Sequence, residues 1–151
     1  MNEQVIPNDD HVARYCRPAT VPKGKLAATV FFLRKATATR PEEKYLSVSW
    51  LEYFGERDKE LAMKQVRSVF EENFGTSESG RYAILNAGEI INFGAQLRPA
   101  RQMKVLHKPK TGYCCHAGIF GYTAAEIGIA AKLLLLVKQE NIVAGLNEQE
   151  E

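Results

Sequence analysis

The periodicities of this chain do not alternate regularly between strand and helix. Seven segments can be recognised: strand-like patterns at 11–17, 28–34, 45–50, 81–86 and 101–108, and helix-like patterns at 58–74 and 124–138. Parallel strands need a crossover between them, usually a helix, and most successive strands here have none. We therefore expect an α+β fold with a mixed or antiparallel sheet of about five strands and two main helices.

The individual segments rest on local signals. Residues 45–50, YLSVSW, alternate apolar and polar side chains, which is typical of a strand with one buried face. The segment 26–36 is β-branched and aromatic in its middle, which predicts a strand at about 28–34. Residues 87–97 are compatible with a short helix or an irregular strand.

Capping residues mark both predicted helices. Asp58 can cap the first helix and Gly75 can end it. Thr123 and Glu126 have the spacing of a capping box at the start of the second. Apolar residues surround the axis of this second helix, so we expect it to be largely buried.

The length of 151 residues is that of one domain with its own core. We expect a flexible lead at 1–10, a globular domain at 11–146 and an acidic, frayed tail at 147–151.

Nothing in the chain resembles a targeting signal or a membrane span. The N-terminus is polar and acidic rather than basic and apolar. The most apolar segment, 123–137, contains Glu126 and Lys132 and is shorter than the roughly 20 residues that cross a bilayer. Three cysteines, two of them adjacent, suit a reducing compartment. A cytoplasmic protein without a membrane partner is expected.

The first group of candidate functional residues lies at 9–17, DDHVARYCR. A histidine beside an arginine can serve a phosphate, because imidazole transfers protons while guanidinium holds oxygens in a bidentate manner. The residues with such roles are His11, Arg14, Tyr15 and Arg17. An exposed strand with ordinary salt bridges is the alternative.

A second group lies at 46–54, LSVSWLEYF. Glu52 can act as a general base if aromatic neighbours raise its pKa, and Ser47 can contact a ligand. Trp50, the only tryptophan, is explained by burial in the core, and Glu52 can equally be an ordinary exposed carboxylate.

A basic segment follows between Glu89 and Glu126, a stretch without carboxylates. Its cationic residues include Arg98, Arg101 and Lys104, which can contact phosphate or a nucleic acid. The segment lacks the interleaved aromatic residues of a stacking surface. A solvated basic loop or a surface for an acidic protein partner fits it as well.

The segment 111–122, TGYCCHAGIFGY, contains the most reactive-looking residues. Adjacent cysteines rarely bind one metal ion, so we expect no metal site and no cofactor. Cys114 and Cys115 are better explained as packing residues than as nucleophiles. His116 is the stronger candidate, since Gly118 and Gly121 leave room for a close approach to the backbone.

Taken together, the motifs at 10–15, 46–54 and 116–119 resemble those of a family of small uncharacterised bacterial proteins. In that family the pattern reads D-H-V-x-R-Y, then L-S-V-x-W-L-E-Y-F, then S-H-A-G-I. The matching residues here are His11, Arg14, Tyr15, Ser47, Trp50, Glu52, His116 and Gly118. Cys114 and Cys115 depart from it, because the family pattern has Asp-Pro-Ser before the histidine. The resemblance therefore implies a role for the histidines rather than the thiols, and it brings no activity with it.

Three functions remain open. The first is a metal-independent enzyme acting on a nucleotide or RNA, with His11 and His116 as acid and base, Glu52 orienting or accepting a proton and Arg14 holding phosphate. By analogy such an enzyme is a hydrolase, a toxin or a defence component. The second is a non-catalytic module that binds a protein through 50–54 or the basic segment. The third is a simple nucleic-acid binder.

Overall fold

The computed structural model of the chain describes residues 4–147. Ten regular elements are found there: β1 (Gln4–Val5), β2 (His11–Cys16), β3 (Leu46–Trp50), α1 (Lys59–Phe74), β4 (Arg81–Asn86), α2 (Ala87–Gln96), β5 (Lys104–His107), β6 (His116–Phe120), α3 (Ile127–Leu134) and β7 (Ile142–Ala144). Short 3-10 helices cover Pro18–Thr20, Pro22–Gly24, Ala28–Phe31 and Gln139–Asn141.

The strands form one sheet in the order β1-β5-β6-β3-β2-β4-β7, and each neighbouring pair is antiparallel. The predicted α+β class is confirmed. The sheet of the described residues has seven strands rather than about five, and three helices accompany it rather than two. Three of the seven strands lie outside the predicted strand segments. Of these, β1 and β7 are short edge strands whose two or three residues carry little periodic signal. The third, β6, lies inside the sheet between β5 and β3.

Helices cover both faces of the sheet. Along β2, Val12 and Cys16 point into a large core shared with α2, α3 and the 3-10 helix Ala28–Phe31. Ala13 points to the opposite face, where α1 covers it. The strict alternation of side chains along a strand thus divides the core between two layers.

Helix α1 begins and ends as its sequence predicts. Asp58 accepts a hydrogen bond from the backbone N–H of Leu61 at 3.0 Å. The helix ends at Gly75, whose φ of 69° lies in the left-handed region that favours glycine. Met63 and Val66 on its inner side are completely buried.

The predicted strand at 28–34 is wrong. Residues 28–31 form a 3-10 helix that packs against α3 and buries Val30 and Phe31. The β-branched and aromatic residues of this segment indicate that it is buried, but they do not decide its conformation. The segment is buried against helix α3 rather than within the sheet.

The structure decides the segment left open at 87–97 and shortens the second predicted helix. Residues 87–96 form helix α2, which Asn86 caps by accepting from the N–H of Glu89 at 2.9 Å. Helix α3 spans Ile127–Leu134 and is shorter than predicted. The predicted capping box forms only in part. The Glu126 carboxylate accepts the backbone N–H of Thr123, as in a capping box, and it also pairs with Arg101. The Thr123 hydroxyl donates to this carboxylate instead of accepting the N–H of Glu126, which binds the Thr123 carbonyl. Ile127 remains half exposed, so α3 is less buried than expected.

The N-terminal segment predicted as a flexible lead contains structure. Gln4 and Val5 pair with His107 and Leu106 of β5, and the side chain of Ile6 is buried in the core. Residues 1–3 of that segment, and 148–151 of the predicted acidic tail, lie outside the described part of the chain.

Candidate functional site

A cleft opens where two central strands separate. The ladder between β2 and β3 consists of the pairs Val12–Trp50 and Ala13–Ser49. Beyond these pairs lies a cleft of about 310 Å³, a volume at the lower end of the range for small-molecule sites. It is lined by residues from β2, β3, β6, the end of α1 and two loops: Ala13, Arg14, Tyr15, Arg17, Arg34, Glu43, Ser47, Val48, Phe70, Phe74, Gly75, Lys110, Tyr113 and His116.

The Arg14 side chain connects the separated strands. Its Nε–H donates to the carbonyl of Val30 at 3.2 Å, and an Nη1–H donates to the carbonyl of Ser47 at 2.8 Å. Burial lowers the pKa of Arg14, but guanidinium is so basic that the group stays charged. Within residues 4–147 no carboxylate forms an ion pair with it, and guanidinium has five N–H donors. Donors and positive charge therefore remain available for a ligand.

His116 lies beneath this cleft in a defined tautomer. Its Nδ1 is 2.7 Å from the carbonyl oxygen of Lys108, which can only accept, so Nδ1 carries the proton. The imidazole is 1% exposed. Burial lowers the pKa of His116, and the positive charges of Lys110 and Lys108 lower it further. The ring is therefore neutral near pH 7, with the lone pair of Nε2 free to accept a proton.

The hydroxyl of Ser47 faces that lone pair. Ser47 Oγ is 3.3 Å from His116 Nε2, and with Nδ1 protonated the serine is the donor. Ser47 is half-buried and lines the cleft, whereas His116 is enclosed behind it. Strand pairing fixes this arrangement, because β3 and β6 are adjacent and place Ser47 and Ser49 opposite Gly118 and His116.

The cleft is electropositive. Among the residues that the structure describes, four cationic side chains and one carboxylate line it. The carboxylate, Glu43, is engaged by Arg34, whose backbone N–H lies 2.6 Å from Glu43 Oε1. Arg17 and Lys110 are exposed and form no ion pair within residues 4–147. The surplus of cations favours an anionic ligand.

Aromatic rings form one wall. Phe74 at the end of α1 is 60% exposed, and its ring centroid lies 5.5 Å from that of Tyr113. Phe70 packs between them and Tyr15. The hydroxyl of Tyr15 accepts the N–H of Ser77 at 2.9 Å, so this predicted binding residue also anchors the loop after α1.

His11 and Glu52 lie elsewhere. Among the described residues, the lining of the cleft includes neither of them. They bind each other: Glu52 Oε2 is 2.6 Å from His11 Nδ1, and Oε1 accepts the backbone N–H of His11 at 2.7 Å. This hydrogen bond with Glu52 raises the pKa of His11. The structure thus separates the two histidines that the sequence hypothesis joins in one reaction.

A buried carboxylate adjoins this pair. Asp10 is 5% exposed and accepts from the indole Nε1–H of Trp50 at 2.9 Å. Its other oxygen lies 2.7 Å from Nη1 of Arg57, which is largely exposed. Both acceptor atoms are satisfied, so Asp10 ties the start of β2 to the end of β3.

The predicted binding residues of the basic segment also lie outside the cleft. Arg98 and Lys104 are exposed. Arg101 forms a two-pronged ion pair with Glu126, which compensates its charge. Gly118 faces the ring of Tyr45, where an added Cβ would lie 2.6 Å from Cδ2. The absence of a side chain at 118 thus accommodates an aromatic ring rather than a ligand.

The cysteines are free thiols in different surroundings. Cys115 and Cys16 are buried, and burial raises the pKa of each to about 12. Cys114 is partly exposed. Among residues 4–147, no three His, Cys, Asp or Glu side chains are grouped as metal ligands.

Sequence reasoning missed several residues of the cleft. Arg34 and Glu43 lie in the irregular segment between the 3-10 helix Ala28–Phe31 and β3. Phe70 and Phe74 belong to the apolar stripe of α1. Lys110 belongs to the basic segment, and its charge is the feature of the sequence that could have identified it as a ligand-binding residue. Arg34, Glu43, Phe70 and Phe74 become cleft residues only through tertiary packing.

Comparison of the chain with family models, with curated proteins and with solved structures found no match. Of the helices between residues 4 and 147, none combines the length and apolar character required to cross a membrane.

Proposed function

We propose that the protein is an enzyme acting on a phosphate-containing substrate, a nucleotide or RNA, in the cleft between β2 and β3. The observation that carries the proposal is the convergence of unpaired cationic groups on a neutral, oriented histidine. Arg14, Arg17 and Lys110 supply positive charge, and His116 supplies a base. The proposal needs no metal ion, because these side chains provide the charge that stabilises a phosphoryl group.

The aromatic wall supports a nucleotide in particular. Phe74 presents a largely exposed ring beside the cationic side of the cleft. Nucleobases stack on aromatic side chains, which contributes about 1–3 kcal/mol per base. A nucleotide whose base stacks on Phe74 and whose phosphate lies near Arg14 and Arg17 would use both the aromatic wall and the positive charge of the cleft.

The assignment of His11 changes in this proposal. His116 alone serves the cleft, while His11 and Glu52 neutralise each other at the junction of β2 and β3. Their pairing is explained by structure, and we give them no catalytic role.

The binding-module alternatives receive less support. Trp50 is buried and its indole N–H is used by Asp10, so it cannot anchor a partner. Arg101 is paired with Glu126, which reduces the charge of the basic segment. The surfaces suggested for a protein or nucleic-acid partner are therefore partly occupied by internal contacts.

Calorimetry with inorganic phosphate, nucleoside monophosphates and a short oligoribonucleotide tests the proposal, together with hydrolysis assays in EDTA. Arg17→Gln and Lys110→Gln each weaken phosphate binding by about tenfold, since a charge-assisted hydrogen bond contributes about 1.5–3 kcal/mol. Lys104→Gln, a cation outside the cleft, leaves binding unchanged. Failure of all three probes to bind, or equal losses in the Lys104 variant, contradicts the proposal.

A further inference from the structure

The buried position of His116 limits how it can act. With 1% of its surface exposed, the imidazole presents almost no area to a bound substrate. Its Nδ1–H is committed to the Lys108 carbonyl, and the only free lone pair points to Ser47 Oγ. A proton leaving the cleft for His116 therefore passes through the serine hydroxyl.

Ser47 itself is placed for contact with substrate. It is half-buried, and it borders the cleft beside the cationic residues. The Arg14 guanidinium donates to the carbonyl of this same residue at 2.8 Å. The positive charge of Arg14 therefore lies beside Ser47 and favours negative charge that develops in this part of the cleft.

Ser47, His116 and the Lys108 carbonyl are arranged like the groups of an activated serine nucleophile. Such a site needs a hydroxyl, a base within hydrogen-bonding reach and a third group that orients the base. Ser47, His116 and the Lys108 carbonyl have these relations here. A backbone carbonyl replaces the usual carboxylate, and it fixes the same tautomer.

We propose that Ser47 is the nucleophile of the cleft and forms a covalent phosphoserine intermediate. This inference rests on the proposed function. Ser47 Oγ bonds to phosphorus while the bond from phosphorus to the leaving oxygen breaks. The Ser47 proton moves to His116 Nε2, and the leaving oxygen takes a proton from solvent in the open cleft. Water next attacks phosphorus and releases a proton to solvent, and the Ser47–phosphorus bond breaks as Ser47 Oγ regains the proton held on Nε2.

The test uses an organophosphorus fluoride, diisopropyl fluorophosphate, with the full-length protein. The expected result is one adduct per chain by intact mass spectrometry, located on Ser47 by peptide mapping, with release of fluoride. Ser47→Ala abolishes the adduct, and His116→Gln slows its formation by about 10²-fold or more. Ser79→Ala, which removes an exposed serine outside the cleft, reacts like the wild type.

Phosphate binding separates the two levels of the proposal. Ser47→Ala retains phosphate affinity within about twofold, which also shows that it folds, because the cationic groups remain in place. If Ser47 of the wild type is not labelled, or if Ser47→Ala turns over substrate as fast as the wild type, Ser47 is not the nucleophile. Neither result contradicts the proposed phosphate site. Absence of phosphate binding in the wild type overturns the proposed function instead.

Discussion

The imidazole of His11 and the carboxylate of Glu52 form a close pair, with 2.6 Å between Nδ1 and Oε2. The Glu52 side chain is 5% exposed, whereas that of His11 is 37% exposed. A buried carboxylate here is stabilised by a cation that solvent can still reach. The pair therefore links folding stability to pH.

The first prediction concerns this linkage. The pKa of His11 is raised above 6.5 in the folded protein, chiefly by its hydrogen bond with Glu52. A raised pKa stabilises the fold below the unfolded value, and this contribution is lost as pH rises through the folded pKa. Glu52→Gln should therefore lower the free energy of unfolding by about 1–2 kcal/mol under acidic conditions, a figure reduced for solvent screening, and by less at alkaline pH.

Urea unfolding of the wild type and Glu52→Gln at several pH values measures this difference, and NMR titration of His11 follows its pKa directly. Glu56→Gln, which alters a carboxylate without an ion pair within residues 4–147, serves as the control. A difference between wild type and Glu52→Gln that does not change with pH would refute the linkage.

The second prediction compares the two partners of Asp10. Asp10→Ala removes the acceptor of the buried Trp50 indole and should destabilise the protein by about 2–3 kcal/mol. Arg57→Ala removes only the exposed cation and should cost about 0–1 kcal/mol. Urea unfolding followed by far-UV circular dichroism measures both. Equal losses would mean that the ion pair, rather than the indole bond, holds the strands together.

The third prediction tests the close approach at Gly118. A Cβ at this position would lie 2.6 Å from the Tyr45 ring and 3.0 Å from Phe120. Gly118→Ala should destabilise the protein by about 1–3 kcal/mol through overpacking. The matched control is Gly128→Ala in α3, where the added methyl meets open space and should be neutral or stabilising by up to about 1 kcal/mol. Thermal unfolding of both variants is the measurement, and tolerance of Gly118→Ala would show that Tyr45 moves freely.

The sequence was sufficient for elements that are set by local signals. Helix α1 has a side-chain cap at Asp58 and an obligatory glycine at its end, and β3 alternates strictly. The segment 28–31 failed because apolar β-branched residues indicate burial without choosing a conformation. Its partner, α3, lies almost a hundred positions further along the chain, and no local pattern records that contact.

The cleft was predictable only in part, for a similar reason. Arg14, Ser47 and His116 stood out as chemically suitable residues, and the structure brings these three together. Their meeting depends on the register of β3 with β6 and on the separation of β2 from β3, which are long-range properties. The same dependence explains the error with His11, which lies on the strand that carries Arg14 but pairs with Glu52 outside the cleft.

The fourth prediction contrasts two buried tyrosines. The hydroxyl of Tyr82 has no hydrogen-bond partner among residues 4–147, although its side chain is completely buried. The hydroxyl of Tyr113 lies 2.6 Å from the buried Ser49 Oγ. An unsatisfied buried hydroxyl is unfavourable, so Tyr82→Phe should leave the free energy of unfolding unchanged or raise it by up to about 1 kcal/mol. Tyr113→Phe should lower it by about 1–2 kcal/mol, because the buried hydrogen bond between Tyr113 and Ser49 is lost. Urea unfolding of both variants decides the matter: a loss in Tyr82→Phe as large as that in Tyr113→Phe would mean that the Tyr82 hydroxyl contributes a stabilising interaction.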